Sequence, residues 1–181
     1  MNIVKQTSIL IITALLLTGC GFHLRGIQPL PPQLRVMYLQ SNSPYSDFTK
    51  QLKNAFRLSK VKLVNDSKQA QIILYISREN FYTNQTTVAS TAQKRNYNAT
   101  YTITYSLQNK YGNTIVKPKS INTTDTITVN QNEILENSNK LNIAKQTLIR
   151  NLIMKLMFQL TSKNTILILN KYSAIKHENH H

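Results

Sequence analysis

Tyr97-Asn98-Ala99-Thr100-Tyr101-Thr102-Ile103-Thr104-Tyr105-Ser106-Leu107 alternates without a break. Its odd positions read Tyr, Ala, Tyr, Ile, Tyr, Leu, and its even positions Asn, Thr, Thr, Thr, Ser. Period two is the spacing at which successive side chains take opposite faces of a strand. The stretch therefore predicts a β-strand with one buried face, carrying Tyr97, Tyr101 and Tyr105. Downstream, Asn109-Lys110-Tyr111-Gly112-Asn113 supplies a turn. Residues 120–129 then form the partner strand, with Ile121, Ile127 and Val129 set against Thr124, Thr126 and Thr128.

Upstream, residues 83–96 are rich in Thr, Asn, Gln and Ser and carry the pair Lys94-Arg95. They read either as a long polar hairpin or as the protruding ends of two strands. Gln71–Ser77 is apolar on both faces, as a buried central strand would be. Leu34–Leu39 reads as a first strand, and Val61–Val64 as a short edge strand.

Two helices complete the pattern. Ser43 is placed to cap the first, with Pro44 at its first position and Asp47 in its first turn. Tyr45, Phe48, Leu52, Ala55 and Phe56 give it one apolar stripe, ending near Leu58. The second starts at Asn130, three residues before Glu133 in the manner of a capping box. Its stripe runs Leu141, Ala144, Leu148, Leu152, Leu156, Leu160, widened by Ile149 and Ile153, enough to cover a sheet. Thr165–Leu169 is apolar but brief, either a last strand or a segment that docks on a partner, and the tail beyond Lys171 is expected to be flexible. The order predicts an α+β two-layer sandwich, with two helices on one face of a mixed, roughly four-stranded sheet.

The single cysteine sits at the other decisive point. Lys5 precedes an apolar run from Ile9 to Leu17, and Leu17-Thr18-Gly19-Cys20 follows as a bacterial lipobox. That run is too short to span a bilayer. Residues 1–19 are thus expected to be a signal peptide, and Cys20 to carry S-diacylglycerol and an N-acyl chain. Each buried methylene is worth about 0.8 kcal/mol, so several chains anchor where one would be marginal. Gly21 stands where inner-membrane lipoproteins usually carry Asp, which points to the outer membrane. Residues 20–33, broken by Pro29, Pro31 and Pro32, read as a tether, 34–162 as one domain and 163–181 as a C-terminal segment. With Cys20 consumed by lipid no disulfide is available, and stability must come from packing.

Lys and Arg number 22 against 7 Asp and Glu, a formal net charge of +15. A polyanionic partner fits that balance, although an Asn-, Ile- and Lys-rich composition also produces it as background. An exported, tethered protein does not meet nucleic acid, which leaves phosphorylated lipid. Between Leu24 and Ala174 there is no histidine or cysteine, and Asp47, Asp66, Glu79, Asp125, Glu133 and Glu136 are scattered. No nucleophile motif, zinc motif or phosphate loop occurs, so no enzyme is expected; a paired-carboxylate site at Asp125 is the residual catalytic possibility. His177, His180 and His181 lie on the tail without fixed geometry, and no metal site or other cofactor is expected.

Gly19-Cys20-Gly21-Phe22-His23-Leu24-Arg25-Gly26, then a proline-broken tether, a strand with Val36-Met37-Tyr38-Leu39 and a helix running into Leu58, resembles the LPS-assembly lipoprotein family (LptE, formerly rare lipoprotein B). The likeness extends over most of residues 17 to 160. It implies an outer-membrane lipoprotein that plugs the large β-barrel LptD, helps it assemble, and contacts lipopolysaccharide on its way to the surface. It further implies a periplasm-facing location inside the barrel lumen, and basic contacts to lipopolysaccharide, for which Lys94 and Arg95 are the nearest candidates. The plainer role for that pair is a solvated hairpin tip. His23 and Arg25, beside the anchor, would face headgroups or the barrel rim. The competing expectation is a lipoprotein that activates or scaffolds a periplasmic cell-wall or barrel-assembly machine.

Overall fold

The computed structural model describes residues 30–88, 94–130 and 134–178. The strands are β1 (Val36–Ser41), β2 (Lys62–Leu63), β3 (Ile72–Val88), β4 (Lys94–Gln108) and β5 (Thr114–Asn130), and the helices are α1 (Asp47–Leu58), α2 (Ile134–Leu160) and α3 (Lys163–Glu178). They form one mixed sheet in the order β2-β1-β3-β4-β5. β1 runs parallel to both β2 and β3, while β3, β4 and β5 are antiparallel neighbours. The α+β class holds, with five strands where four were expected. The marginal edge segment does pair, Lys62 and Leu63 standing in register with Val36 and Met37.

The alternation in 97–107 has the consequence expected of it. Ala99, Tyr101, Ile103, Tyr105 and Leu107 are buried against Phe48, Leu52 and Phe56 of α1 and Leu148, Leu152 and Leu156 of α2. The Phe48 and Tyr101 ring centres lie 6.2 Å apart, and Thr123 of β5 donates to the Leu148 carbonyl at 3.1 Å. Both helices therefore cover the same sheet face. Cross-links between them are polar: Gln51 Nε2 donates to Gln146 Oε1 at 2.6 Å, and Lys145 Nζ stands 3.6 Å from Asp47 Oδ2.

The two readings of 83–96 merge: β3 and β4 pair antiparallel as far as Val88 and Arg95, so the protruding strand ends are the arms of a long polar hairpin, with 89–93 outside the described residues. β3, β4 and β5 run 17, 15 and 17 residues. At about 3.3 Å per residue such strands reach roughly 50 Å. A bulge in β3 lets this length keep its register. Ile76 pairs with Tyr105 but Arg78 with Thr104, so Ser77 is the extra residue. Before it Ile72, Leu74 and Ile76 face the helices; after it Glu79 and Phe81 do, opposite Ile103 and Tyr101.

Two local expectations are corrected. α1 is capped by Ser46, whose Oγ accepts from the Thr49 amide at 3.1 Å, and not by Ser43. The Ser43 amide instead donates to Ser41 Oγ, and the Ser46 amide closes a turn onto the Ser43 carbonyl. Pro44 thus occupies the second position of a turn, which its fixed φ suits, and Tyr45, 86 % exposed, leaves the apolar stripe. The second correction is a third helix, in place of the strand or docking segment that 165–169 suggests in sequence. Ser162 Oγ accepts from the Thr165 amide at 3.3 Å at the start of α3, and Thr165 and Leu169 are buried one turn apart. Leu169 joins the main core.

Candidate functional site

The face of the sheet turned away from α1 and α2 is a polar lattice. Even-numbered β4 residues alternate with β3 and β5 partners in register: Arg78, Thr104 and Ser120; Asn80, Thr102 and Asn122; Tyr82, Thr100 and Thr124; Asn84, Asn98 and Thr126. Hydroxyls and amides bridge the rungs. Thr104 Oγ1 and Ser120 Oγ are 2.9 Å apart, and Thr100 Oγ1 and Thr124 Oγ1 are 3.0 Å apart. Thr126 Oγ1 donates to Asn98 Oδ1 at 2.9 Å and Thr128 Oγ1 to Asn96 Oδ1 at 2.8 Å. A wall held by its own side-chain bonds is rigid and still offers spare donors and acceptors outward. Past Phe81, β3 is exposed residue by residue from Tyr82 through Thr86.

On the helix side the bulge delivers one carboxylate into the core boundary. Glu79 Oε1 accepts from Ser46 Oγ at 3.0 Å and Thr49 Oγ1 at 3.1 Å, and its Oε2 from the Tyr101 hydroxyl at 3.1 Å. Burial above all, then the neighbouring Glu79 charge and hydrogen bond and the Asp47 charge, raise the Tyr101 phenol well above its ordinary pKa. Burial alone raises that of Tyr105. The cluster fastens the N-terminus of α1 to β3 and β4. Its three donors are hydroxyls, and no second carboxylate shares it, so it is a clasp rather than an acid–base pair.

The other carboxylates are separated. Asp66 Oδ1 accepts from the Lys68 amide at 2.9 Å, Glu136 pairs with Lys140 at 2.6 Å, and Asp125 Oδ1 accepts from the Thr126 amide at 2.9 Å. Asp125 lines an open cleft of about 400 Å³ with Ile127, Thr128, Lys140, Ile143, Ala144 and Thr147, and is the sole carboxylate among the described lining residues. Among the described residues no three His, Cys, Asp or Glu side chains gather as metal ligands.

Lys94 opens β4 opposite Asn130, and Arg95 lies between Val88 and Val129, so both sit at the protruding end of the sheet. Cys20, His23, Arg25, Glu133, His180 and His181 lie outside the described residues, as does the 1–19 leader. Sequence reasoning missed Glu79 as a structural centre and Arg78 as part of the lattice. Both follow from the bulge at Ser77, which carries no composition signal.

Residues 34–160 match the family model described as LptE, lipopolysaccharide-assembly. A 66-residue stretch is 41 % identical to the LPS-assembly lipoprotein LptE of Pectobacterium atrosepticum, covering 36 % of this chain and 36 % of that protein. The alignment thus spans about a third of that relative's length. The fold resembles lipoprotein B of Nitrosomonas europaea, with a TM-score of 0.65 at 15 % identity over 78 % of this chain and 90 % of the other. It also resembles a minor lipoprotein of Acinetobacter baumannii, with a TM-score of 0.61 at 17 % identity over 73 % and 92 %.

Proposed function

Because the chain belongs to the lipopolysaccharide-assembly LptE family, we propose that it is an outer-membrane lipoprotein, acylated at Cys20, that plugs the LptD β-barrel, helps it assemble, and aids delivery of lipopolysaccharide to the outer leaflet. The observation that carries this reading is the family match across residues 34–160, which takes in every strand and the first two helices. Geometry supports it. Strands of 15 to 17 residues exceed the thickness of a hydrocarbon core, about 30 Å, so the sheet is long enough to stand within a bilayer-spanning barrel. The lumen of such a barrel is polar, and the helix-free lattice of Thr and Asn is the surface offered to its wall. Lys94 and Arg95 belong to the protruding end of β4, and the reading that they contact lipid A phosphates is supported by the strength of charge-assisted hydrogen bonds from such cations. The role is binding and templating, without catalysis.

Affinity purification of the acylated chain from the envelope tests the reading. Recovery of the LptD barrel with bound lipopolysaccharide is expected. Recovery of a cell-wall enzyme or another barrel machine without LptD overturns it in favour of the scaffold role. Replacing Lys94→Gln with Arg95→Gln weakens lipopolysaccharide binding by the purified protein, and unchanged affinity removes that pair from the site.

A further inference from the structure

The point where the tether enters the domain lies against α3. Gln33 Nε2 donates to Asn170 Oδ1 at 2.7 Å, and Pro32 and Gln33 share an open cleft with Leu169, Tyr172 and Ser173. This pole is opposite to the protruding strand ends, since α3 packs on β5 and the cleft includes Gln71 and Ile72 at the start of β3. Leu30 is ten positions along the chain from Cys20. At about 3.5 Å each they reach at most roughly 35 Å. An acyl anchor on Cys20 therefore holds α3 close to the membrane.

The outward side of α3 has the matching composition. Over residues 163–175 its exposed residues are Lys163, Asn164, Leu167, Asn170, Lys171, Ala174 and Ile175, with Leu167 67 % and Ile175 48 % exposed. They recur every three or four positions, which makes one face, and the members of that face up to Ile175 are lysines, asparagines, an alanine and large apolar groups, with Glu178 next at the same spacing. At 16 residues α3 is about 24 Å long, too short to cross the bilayer, and among the described residues no single helix is long and apolar enough to do so. A basic-apolar helix face held beside a bilayer is suited to lie in its headgroup layer.

We infer that the Lys163–Leu167–Lys171 face of α3 is a second membrane contact, resting on the anionic phospholipid surface beside the lipid anchor. The inference depends on acylation of Cys20. Tethering makes a weak contact effective by raising the local concentration of surface, and two contacts fix an orientation that one flexible leash leaves free.

The experiment uses the full acylated chain in vesicles of phosphatidylcholine with and without phosphatidylglycerol. A fluorophore is placed at Leu167→Cys and, separately, at Tyr45→Cys as an exposed comparison; Cys20 is the chain's only other cysteine and is blocked by lipid. Bromolipids should quench the label at 167 severalfold more than that at 45, and only with phosphatidylglycerol present. Lys163→Gln with Lys171→Gln should lower the docked-to-free ratio about 25-fold, at about fivefold per lysine. Equal quenching at 167 and 45 in a chain that mass spectrometry shows to be acylated overturns the docking alone. Burial at 167 only after a barrel protein is added assigns the face to protein and also overturns it. An unmodified Cys20 overturns the docking together with the anchor.

Discussion

The Tyr101 hydroxyl donates to Glu79 Oε2 at 3.1 Å, joining β4 to the first residues of β3 beyond its bulge. Ser46 and Thr49 occupy the other oxygen of the same carboxylate, so one side chain ties the start of α1 to two strands. Hydrogen bonds to a charged group contribute more than neutral ones, and removing the common acceptor orphans every donor at once. Glu79→Ala should destabilise the protein by about 3 kcal/mol, against about 1 kcal/mol for Tyr101→Phe, which deletes a single bond. Urea unfolding of the two variants checks this. Equal losses would mean that Glu79 is not the hub.

The raised Tyr101 and Tyr105 phenols have a signed consequence. In the unfolded chain each loses its proton near pH 10, while in the folded protein each holds it to higher pH. Their stabilising effect is complete below pH 10 and lost as pH rises from there through the folded values. Above that point the unfolded state binds fewer protons, so stability falls with pH by up to about 1.4 kcal/mol per unit for each tyrosine. Tyr101→Phe and Tyr105→Phe should each flatten the decline in urea-derived stability between pH 10 and 11.5. A slope identical to that of the parent would refute the assignment.

How α1 begins separates two serines that look alike in sequence. Ser46 Oγ accepts the Thr49 amide and donates to Glu79, whereas Ser43 is engaged at the strand exit through its backbone. Ser46→Ala should cost about 1.5 kcal/mol and Ser43→Ala a few tenths. Thermal melts of both decide it, and the reverse ranking would restore Ser43 as the cap.

What the sequence revealed tracks how locally each feature is determined. The alternation in 97–107 and the stripe from Leu141 to Leu160 are periodic over many residues, so a single burial face follows from spacing alone, and both faces are buried as expected except at their first residues, Tyr97 and Leu141, which are half-buried. The cap of α1 was misplaced because Ser43-Pro44 and Ser46-Asp47 both satisfy capping chemistry, and the choice was made by the Ser41 hydroxyl holding the Ser43 amide. The bulge at Ser77 is set by pairing with Thr104 and Tyr105 some thirty residues away, a tertiary event with no local marker. Without it Glu79 would face the lattice and Arg78 the core. α3 was read as extended or flexible because Ile166-Leu167-Ile168-Leu169 is continuous apolar sequence. Only the contact of Leu169 with the core shows which side is inward.

That contact gives α3 its own test. Leu169 is fully buried and Leu167 two-thirds exposed, although they are two positions apart with the same side chain. Leu169→Ala should cost about 3 kcal/mol and Leu167→Ala less than about 0.5 kcal/mol. Chemical denaturation of the pair would show equal, small losses if this segment were not docked.

If the helix-free lattice meets the wall of the proposed barrel partner, a substitution there can separate folding from assembly. Asn80 is exposed in the middle of the lattice, in register with Thr102, while Lys53 is exposed on the outer side of α1. Both are solvent-exposed positions, so Asn80→Trp and Lys53→Trp should each change stability by no more than about 0.5 kcal/mol. Equal added bulk on opposite sides then reads out which side is covered. A wall pressed against the lattice cannot admit an indole without opening a gap along neighbouring rungs, since the Thr and Asn bridges keep those rungs from moving aside. Co-purification with LptD should therefore fall at least tenfold for Asn80→Trp and stay near the parent level for Lys53→Trp, a difference of about 1.4 kcal/mol or more. Loss confined to Lys53→Trp would place the wall against the helices, and retention by both would leave the lattice facing solvent.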